Sequence, residues 1–348
     1  MVETILPNRF YFPPAGNSIR NQAICEPKDA GLNPDVISEL NTYSVDNPLK
    51  GHAQRWALWR HGYLVYVEGD FNLAVDVASL RKTWHAIAVG AALKQGRIHS
   101  LDQKISSWEK ELTGYHAEAT LWHVLTQSSG FDYPYGNFPS YKPGEMWTYS
   151  DLNLVHLCNA IAKIYGKRDF WDDYQDVLRL AYFDAIGIEG WSTRIIFDPN
   201  SNMFDGVRLV LSLENMGRLG LFVLARGAWN GKQLLPVGFV EQLETKQTYG
   251  MKVNYYGPND GLVQLDRLGY FPEVPYGFLT WVNTDGDYFP GADTAWAWGA
   301  GAGGNMILWN SSLGLVLAVQ GIISNPNTHS LPQILERSIQ GPNQMLIG

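Results

Sequence analysis

The chain has 348 residues, 45% hydrophobic and 17% charged, enough apolar material for one large domain or two closely joined ones and too much for a disordered chain. Lys and Arg number 26 against 34 Asp and Glu, a formal charge of −8. With no run of Lys and Arg, this argues against a nucleic-acid partner.

The first residues, MVETILPNRFYFPP, lack the basic and apolar regions of a signal peptide. No apolar run approaches the length of a membrane-spanning helix. The expectation is a soluble, cytoplasmic protein with no membrane partner. Cys25 and Cys158 lie far apart, form neither a disulfide framework nor a metal motif, and are read as buried thiols.

RWALWRHGYLVYVEGD (55–70) carries two aromatic and β-branched runs around His61-Gly62 and predicts a β-hairpin. SLRKTWHAIAVGAALKQG (79–96) predicts an apolar helix ending at Gly96. Helical stretches follow at 119–127, 151–166 and 212–227, separated by Gly/Pro/Tyr-rich loops, notably 128–146. YGFLTWVN (276–283), NMILWN (305–310) and LGLVLAVQG (313–321) predict consecutive strands, and a short helix near 331–340 closes the chain. No internal repeat is present. Strands at both ends and helices between them predict an α/β (α+β) architecture. One antiparallel sheet is built from residues 1–85 and 250–348, a mostly helical domain (86–249) is inserted, and the active site lies at their interface.

WGAGAGGN (298–305) satisfies G-x-G-x-x-G through Gly299, Gly301 and Gly304. A dinucleotide cradle needs a helix after the glycines and an acidic residue about 20 positions on. Here strand-like NMILWN follows, and the next carboxylate is Glu336. The cofactor reading is rejected, and no cofactor is expected.

Ser79-Leu80-Arg81-Lys82 is S-x-x-K at the start of the predicted helix, with Ser79 and Lys82 on one face. A serine hydroxyl needs a base, and a lysine serves if burial and nearby cations lower its pKa. Alone, the motif is common and reads better as a helix cap beside a solvated lysine. Tyr149 stands just before a predicted helix and two residues before Asp151. A tyrosine hydroxyl can relay protons, and an aspartate there can cap the helix. None of the eight histidines sits in a metal spacing, so no metal is expected. His123 and His156 read as core histidines, and no G-x-S-x-G elbow is present. Asn310-Ser311-Ser312 forms a sequon of little weight without a signal peptide.

Together these segments resemble the serine β-lactamase and penicillin-binding-protein superfamily. The similarity is greatest to its class C-like branch with family VIII carboxylesterases, D-aminopeptidases and 6-aminohexanoate-dimer hydrolases. ASLRKTW resembles the nucleophile motif, TLWHVLTQSSGF the LLTHTSG segment, PGEMWTYSDLN the PG-x-x-W-x-YSN segment, and WGAGAGGN the third motif. WRHGYLVYVEGD and NGKQLLPVGFVEQL resemble the first hairpin and the stretch before the last strands. The order and spacing of these segments carry the resemblance.

The resemblance implies an acyl-enzyme on Ser79, with Lys82 as its general base and Tyr149 sharing the proton transfers. It implies an oxyanion hole of backbone N–H groups from Ser79 and Ala302. Substrate contacts are expected from Asp151, Trp298, Gly299, Ala300 and Gly301, and from Tyr133 and Tyr135 at the mouth of the pocket. Two departures stand out. Asp151 replaces the usual Asn, and Gly299 the usual Lys or His that helps hold a substrate carboxylate. These predict a neutral or amine-bearing ester or amide rather than a β-lactam. The expected partner is that small molecule alone, and the sequence leaves the oligomeric state open. An acyltransferase with the same nucleophile, or a β-lactamase or D-amino peptidase, is the alternative.

Overall fold

The computed structural model describes residues 10–16, 18–40, 55–131, 141–198, 203–253, 273–321 and 331–340. His61 and Gly62 turn the chain with φ of +49° and +90°, the pair of positive angles a two-residue hairpin turn requires. They join β1 (Arg55–Arg60) to β2 (Tyr63–Glu68). From the other end of the chain come β3 (Trp281–Val282), β4 (Trp296–Gly301), β5 (Asn305–Asn310) and β6 (Leu315–Gln320). The six form one sheet in the order β3-β4-β5-β6-β1-β2, every pairing antiparallel. The expected sheet built from both ends of the chain is therefore present, flanked by helices.

All residues of β1 and β6 are buried, which explains why they read as continuous apolar runs rather than alternating ones. Alternate side chains enter two cores: Ala57, Trp59, Val316 and Ala318 on one face, and Trp56, Leu58, Leu317 and Val319 on the other. The first face receives α1 (Arg81–Lys94) and α3 (Leu213–Leu224); α2 (Asp151–Ile164) packs beside α1. Two glycines set the approach of α3. A Cβ on Gly217 would lie 2.3 Å from the Trp59 ring, and one on Gly220 2.4 Å from Val316.

Two regions differ from the expected pattern. The strand expected over 276–283 shrinks to β3. Leu279 adopts φ +48°, and Gly277 lies so close to the Leu243 carbonyl that a Cβ would be 2.4 Å from it, so the backbone leaves the sheet. The middle of the chain also holds a second sheet, in which Val75–Asp76 and Ser192–Asp198 flank Met203–Leu211. Among the described residues no helix is long and apolar enough to cross a membrane. Neither cysteine forms a disulfide; Cys158 is buried, Cys25 half-buried.

A buried polar chain ties the N-terminal segment to α3. Arg218, fully buried, donates to the carbonyls of Pro13 (2.9 Å), Gly16 (3.1 Å) and Ile186 (3.0 Å) and pairs with Glu214 at 2.8 Å. Glu214 accepts from Gln22, whose own Oε1 accepts from the Trp59 indole. Arg218→Met leaves the Glu214 carboxylate buried without its counter-ion. Urea unfolding should show a loss of about 3–5 kcal/mol.

His85 on α1 is fully buried, with Nε2 3.0 Å from the Val207 carbonyl and Nδ1 3.1 Å from the Tyr174 hydroxyl. Burial pushes its pKa down to about 3, and the Arg81 and Lys82 charges act the same way. The unfolded chain therefore takes up a proton below about pH 6.5 that the folded protein refuses. Stability should fall as pH drops through that window, by about 1.4 kcal/mol per pH unit for this one group. Thermal melts of His85→Gln should show a shallower fall between pH 6 and 4 than the parent protein.

Candidate active site

Ser79 sits where a strand becomes a helix. Val77 N–H bonds back to Leu209 O at 3.0 Å, anchoring the strand side. Ala78 then takes φ +49°, a conformation that a residue with a Cβ adopts only under constraint. The Asp76 carboxylate supplies the constraint by accepting the Ala78 N–H at 2.9 Å. A 3-10 turn, Ala78–Leu80, leads into α1 and places Ser79, half-buried, at the positive end of the helix. Residues 81–92 of α1 are buried all round, as an apolar helix inside a protein must be.

Lys82 lies one turn on. Its Nζ donates to Ser79 Oγ at 3.2 Å and stands 4.5 Å from the centre of the Tyr149 ring. A lysine base is favoured by burial and nearby cations. Arg81 is adjacent, but the nearest charge is an anion, Asp151 Oδ1 at 2.5 Å. Arg81 reaches the same oxygen at 3.5 Å. Burial opposes the charge on Asp151, but Lys82, Arg81 and the more distant Arg208 hold its carboxyl well below the usual carboxylate range. Asp151 is thus engaged by two cations of α1, and the expectation of a free negative charge waiting for a substrate amine is not met.

The glycines of 298–305 divide into two kinds. Gly303 and Gly304 have φ of +84° and +74° and make the turn after β4. Gly299 and Gly301 provide absence of bulk. A Cβ on Gly301 would lie 2.1 Å from Val77 O and 3.1 Å from Ser79 N, and one on Gly299 2.5 Å from Leu80 Cδ1. The third motif therefore presses its backbone against the turn that carries Ser79. Ala302, the expected oxyanion donor, is exposed in the turn that follows. Its carbonyl accepts from Asn305 Nδ2 at 2.9 Å, and the same amide holds Asp76 O at 3.2 Å. The sequence reading passed over Asn305, which ties the two halves of the site together.

Strand alternation corrects two expected substrate contacts. Gly299 and Gly301 face α1, so Trp298 and Ala300 face the other way. Trp298 is buried against Tyr288 and Phe289, with ring centroids 4.4 and 4.7 Å away, and stacks at 6.5 Å on its cross-strand partner Trp281. Trp281 carries the aromatic contact on to the tyrosine loop. It is half-buried and stacks on Tyr149 at 6.1 Å, with Trp147 at 5.9 Å. Trp84 and Trp296 are fully buried. β3 pairs only with Ala297 and Trp298, so among the described residues the outer edge of Gly299–Gly301 carries no strand. Tyr133 and Tyr135 lie outside the described residues.

Gln127, also passed over in the sequence, supports the tyrosine loop. With φ +58°, its carbonyl accepts from Thr148 N at 2.9 Å, and its Oε1 accepts from Ser150 N (3.0 Å) and Asn153 Nδ2 (2.8 Å). Asn153 in turn accepts from Ser129. His123 and His156, expected in the core, are half-buried instead, His123 capping its helix through Thr120 and His156 lying beside Glu109. Among the described residues no group of three or more His, Cys, Asp or Glu could hold a metal ion.

A sequence model of the Beta-lactamase family matches residues 56–321, and the chain belongs to that family of hydrolases. It is 28% identical over 173 residues to an uncharacterized protein of Alkalihalophilus pseudofirmus. That match covers 46% of this chain and 51% of the relative, about half the length of each. Solved structures with the same fold include a penicillin-binding-protein homologue from Caulobacter crescentus (TM-score 0.64, 14% identity, 88% of this chain and 99% of that one). Another, from Bacillus anthracis, is provisionally described as a 6-aminohexanoate-dimer hydrolase (TM-score 0.64, 16% identity, 94% and 89%). The fold expected from the sequence resemblance is therefore the fold found.

The close approach of Gly301 to Ser79 yields a direct expectation. Gly301→Val should cut labelling by a fluorophosphonate about 100-fold or more, the scale of a lost oxyanion donor, while thermal unfolding stays cooperative.

Proposed function

We propose that the protein is a serine hydrolase that cleaves an ester or amide through a covalent acyl-enzyme on Ser79. The observation that carries this reading is the 3.2 Å contact between Lys82 Nζ and Ser79 Oγ, with Tyr149 resting on the same ammonium group. Ser79 Oγ attacks the substrate carbonyl, and its proton passes to the Lys82–Tyr149 pair. The tetrahedral oxyanion is met by the N–H groups of Ser79 and Ala302. Collapse expels the alcohol or amine, which takes the proton back. Water then repeats the sequence, with the same pair as base and acid, and frees the carboxylic acid.

The substrate class follows from charge and shape. Gly299 supplies no cation for a carboxylate, and Asp151 is already paired with Lys82 and Arg81. A neutral ester or amide therefore fits better than an anionic β-lactam. Among the described residues no strand covers the edge of Gly299–Gly301, an edge that can receive an extended substrate backbone, and Trp281 beside Tyr149 offers a flat apolar wall for its acyl or leaving group.

Intact-mass spectrometry after incubation with p-nitrophenyl acetate, p-nitrophenyl butyrate and nitrocefin tests the reading. The parent protein should gain an acyl adduct or release p-nitrophenol, faster with the esters than with nitrocefin. Ser79→Ala should lose both. Equal behaviour of the two proteins on every substrate would sink the acyl-enzyme. Ester products formed in added alcohol would move the assignment to an acyltransferase.

A further inference from the structure

Gln127 follows the short helix Leu121–Leu125, and its φ of +58° turns the backbone away from that helix. There it meets the segment that carries Tyr149, and it grips that segment on both sides of the tyrosine. Thr148 N, before Tyr149, donates to the Gln127 carbonyl at 2.9 Å. Ser150 N, after Tyr149, donates to Gln127 Oε1 at 3.0 Å. A paired strand would offer both acceptors from its own backbone. Here the backbone offers one, and the side-chain amide supplies the other.

The donors fix the direction of every bond in this network. Ser150 N–H can only donate, so Gln127 turns its oxygen toward it. The same oxygen takes Asn153 Nδ2 at 2.8 Å. That leaves Asn153 Oδ1 to accept the Ser129 hydroxyl, and Ser129 Oγ accepts Phe131 N at 3.1 Å. Gln127, Ser129, Ser150 and Asn153 are each at most 1% exposed, so water does not compete for these bonds. Asn153 belongs to the first turn of α2. One side-chain oxygen therefore ties the tyrosine loop to the start of α2.

Both pieces face Lys82, the centre of the Tyr149 ring at 4.5 Å and Asp151 Oδ1 at 2.5 Å. Asp151 has Lys82 and Arg81 to hold it. Tyr149 comes from a loop, and Gln127 holds the N–H groups that flank it. Among the described residues Gln127 makes no hydrogen bond to Ser79 or Lys82, so its route to the chemistry runs through the tyrosine. We propose that the Gln127 side chain is a positioning group: by accepting from Ser150 and Asn153 it fixes Tyr149 in the place from which the tyrosine shares the Ser79 proton with Lys82. This rests on the acyl-enzyme reading above and adds the residue that aligns one half of its proton-transfer pair.

The test begins with Gln127→Met, which keeps the length of the side chain and removes the acceptor. With p-nitrophenyl butyrate, kcat should fall about 100-fold, the scale set by a displacement of about 1 Å in a reacting group, while KM stays nearly unchanged. An unchanged kcat overturns the proposal. The deciding measurement is a double-mutant cycle with Tyr149→Phe, read as the rate of fluorophosphonate labelling. Tyr149→Phe should label more slowly than the parent and keep the residual rate that the oxyanion hole leaves to it. In that background Gln127→Met should cost less than about a further twofold, because the group it aligns is already gone. A merely structural Gln127 would lower the rate by the same factor in both backgrounds, and that result overturns the proposal. So does a Tyr149→Phe variant that labels as fast as the parent. If Gln127→Met does not fold, Gln127→Asn, which keeps the amide but draws it back by one methylene, enters the same cycle and is judged by the same criteria. Labelling that survives in Ser79→Ala would remove the acyl-enzyme itself. Labelling that needs Ser79, with equal losses in both backgrounds, removes only the role given to Gln127.

Discussion

The contact on which the site depends is backbone against backbone. β4 passes so close to the turn holding Ser79 that no side chain fits between them, and Gly301 fills that place. The other features of the site follow from this approach. Asn305 can span from Ala302 O to Asp76 O because the two segments are already in contact. Thr83 can donate to Leu279 O at 2.9 Å beside the similarly bare Gly299. The positive φ of Ala78 is tolerated because Asp76, the second sheet and β4 fix the backbone on either side of it. The nucleophile is thus positioned by elements far apart in sequence, each of which removes a degree of freedom.

Most of the fold is legible in the sequence because its elements carry strong local signals. The hairpin has His61-Gly62, α1 has an apolar run closed by Gly96 with φ +70°, and β5 and β6 read as apolar runs around a turn. The failures occur where tertiary contacts override such signals. YGFLTWVN is strand-like in composition, yet the approach of Gly277 to Leu243 O and the φ of Leu279 reduce it to two residues. Trp298 sits in the third motif and reads as a pocket wall, but a one-residue step along a strand decides the face, and composition does not encode that step. Gln127 is a polar residue in a turn and Asn305 one at the start of β5, and nothing in their immediate sequence distinguishes them from solvated loop residues.

At the site, residue types were legible and charge pairing was not. Ser79, Lys82, Tyr149 and Asp151 converge as the motif order suggests, but the sequence gives no sign that Asp151 pairs with two cations of α1. The substrate preference read from an isolated aspartate changes once its partners are known. A carboxylate drawn partly out of water is informative through its neighbours, since desolvation makes an unpaired charge costly. The same logic governs Glu214 with Arg218, where the ion pair fastens the N-terminal segment to α3 instead of serving chemistry.

The pairing of β1 with β6 also bears on how the chain reaches its fold. Arg55 lies opposite Gln320, a separation of 320 − 55 = 265 residues. The first hairpin leaves the ribosome with β1 apolar on both faces, and its inner partner β6 follows only after the whole middle of the chain. Contacts so distant in sequence slow folding, so the hairpin's hydrophobic surface stays uncovered until β6 has been made. Until then an apolar strand with an open edge is exposed, the kind of surface at which unfinished chains associate.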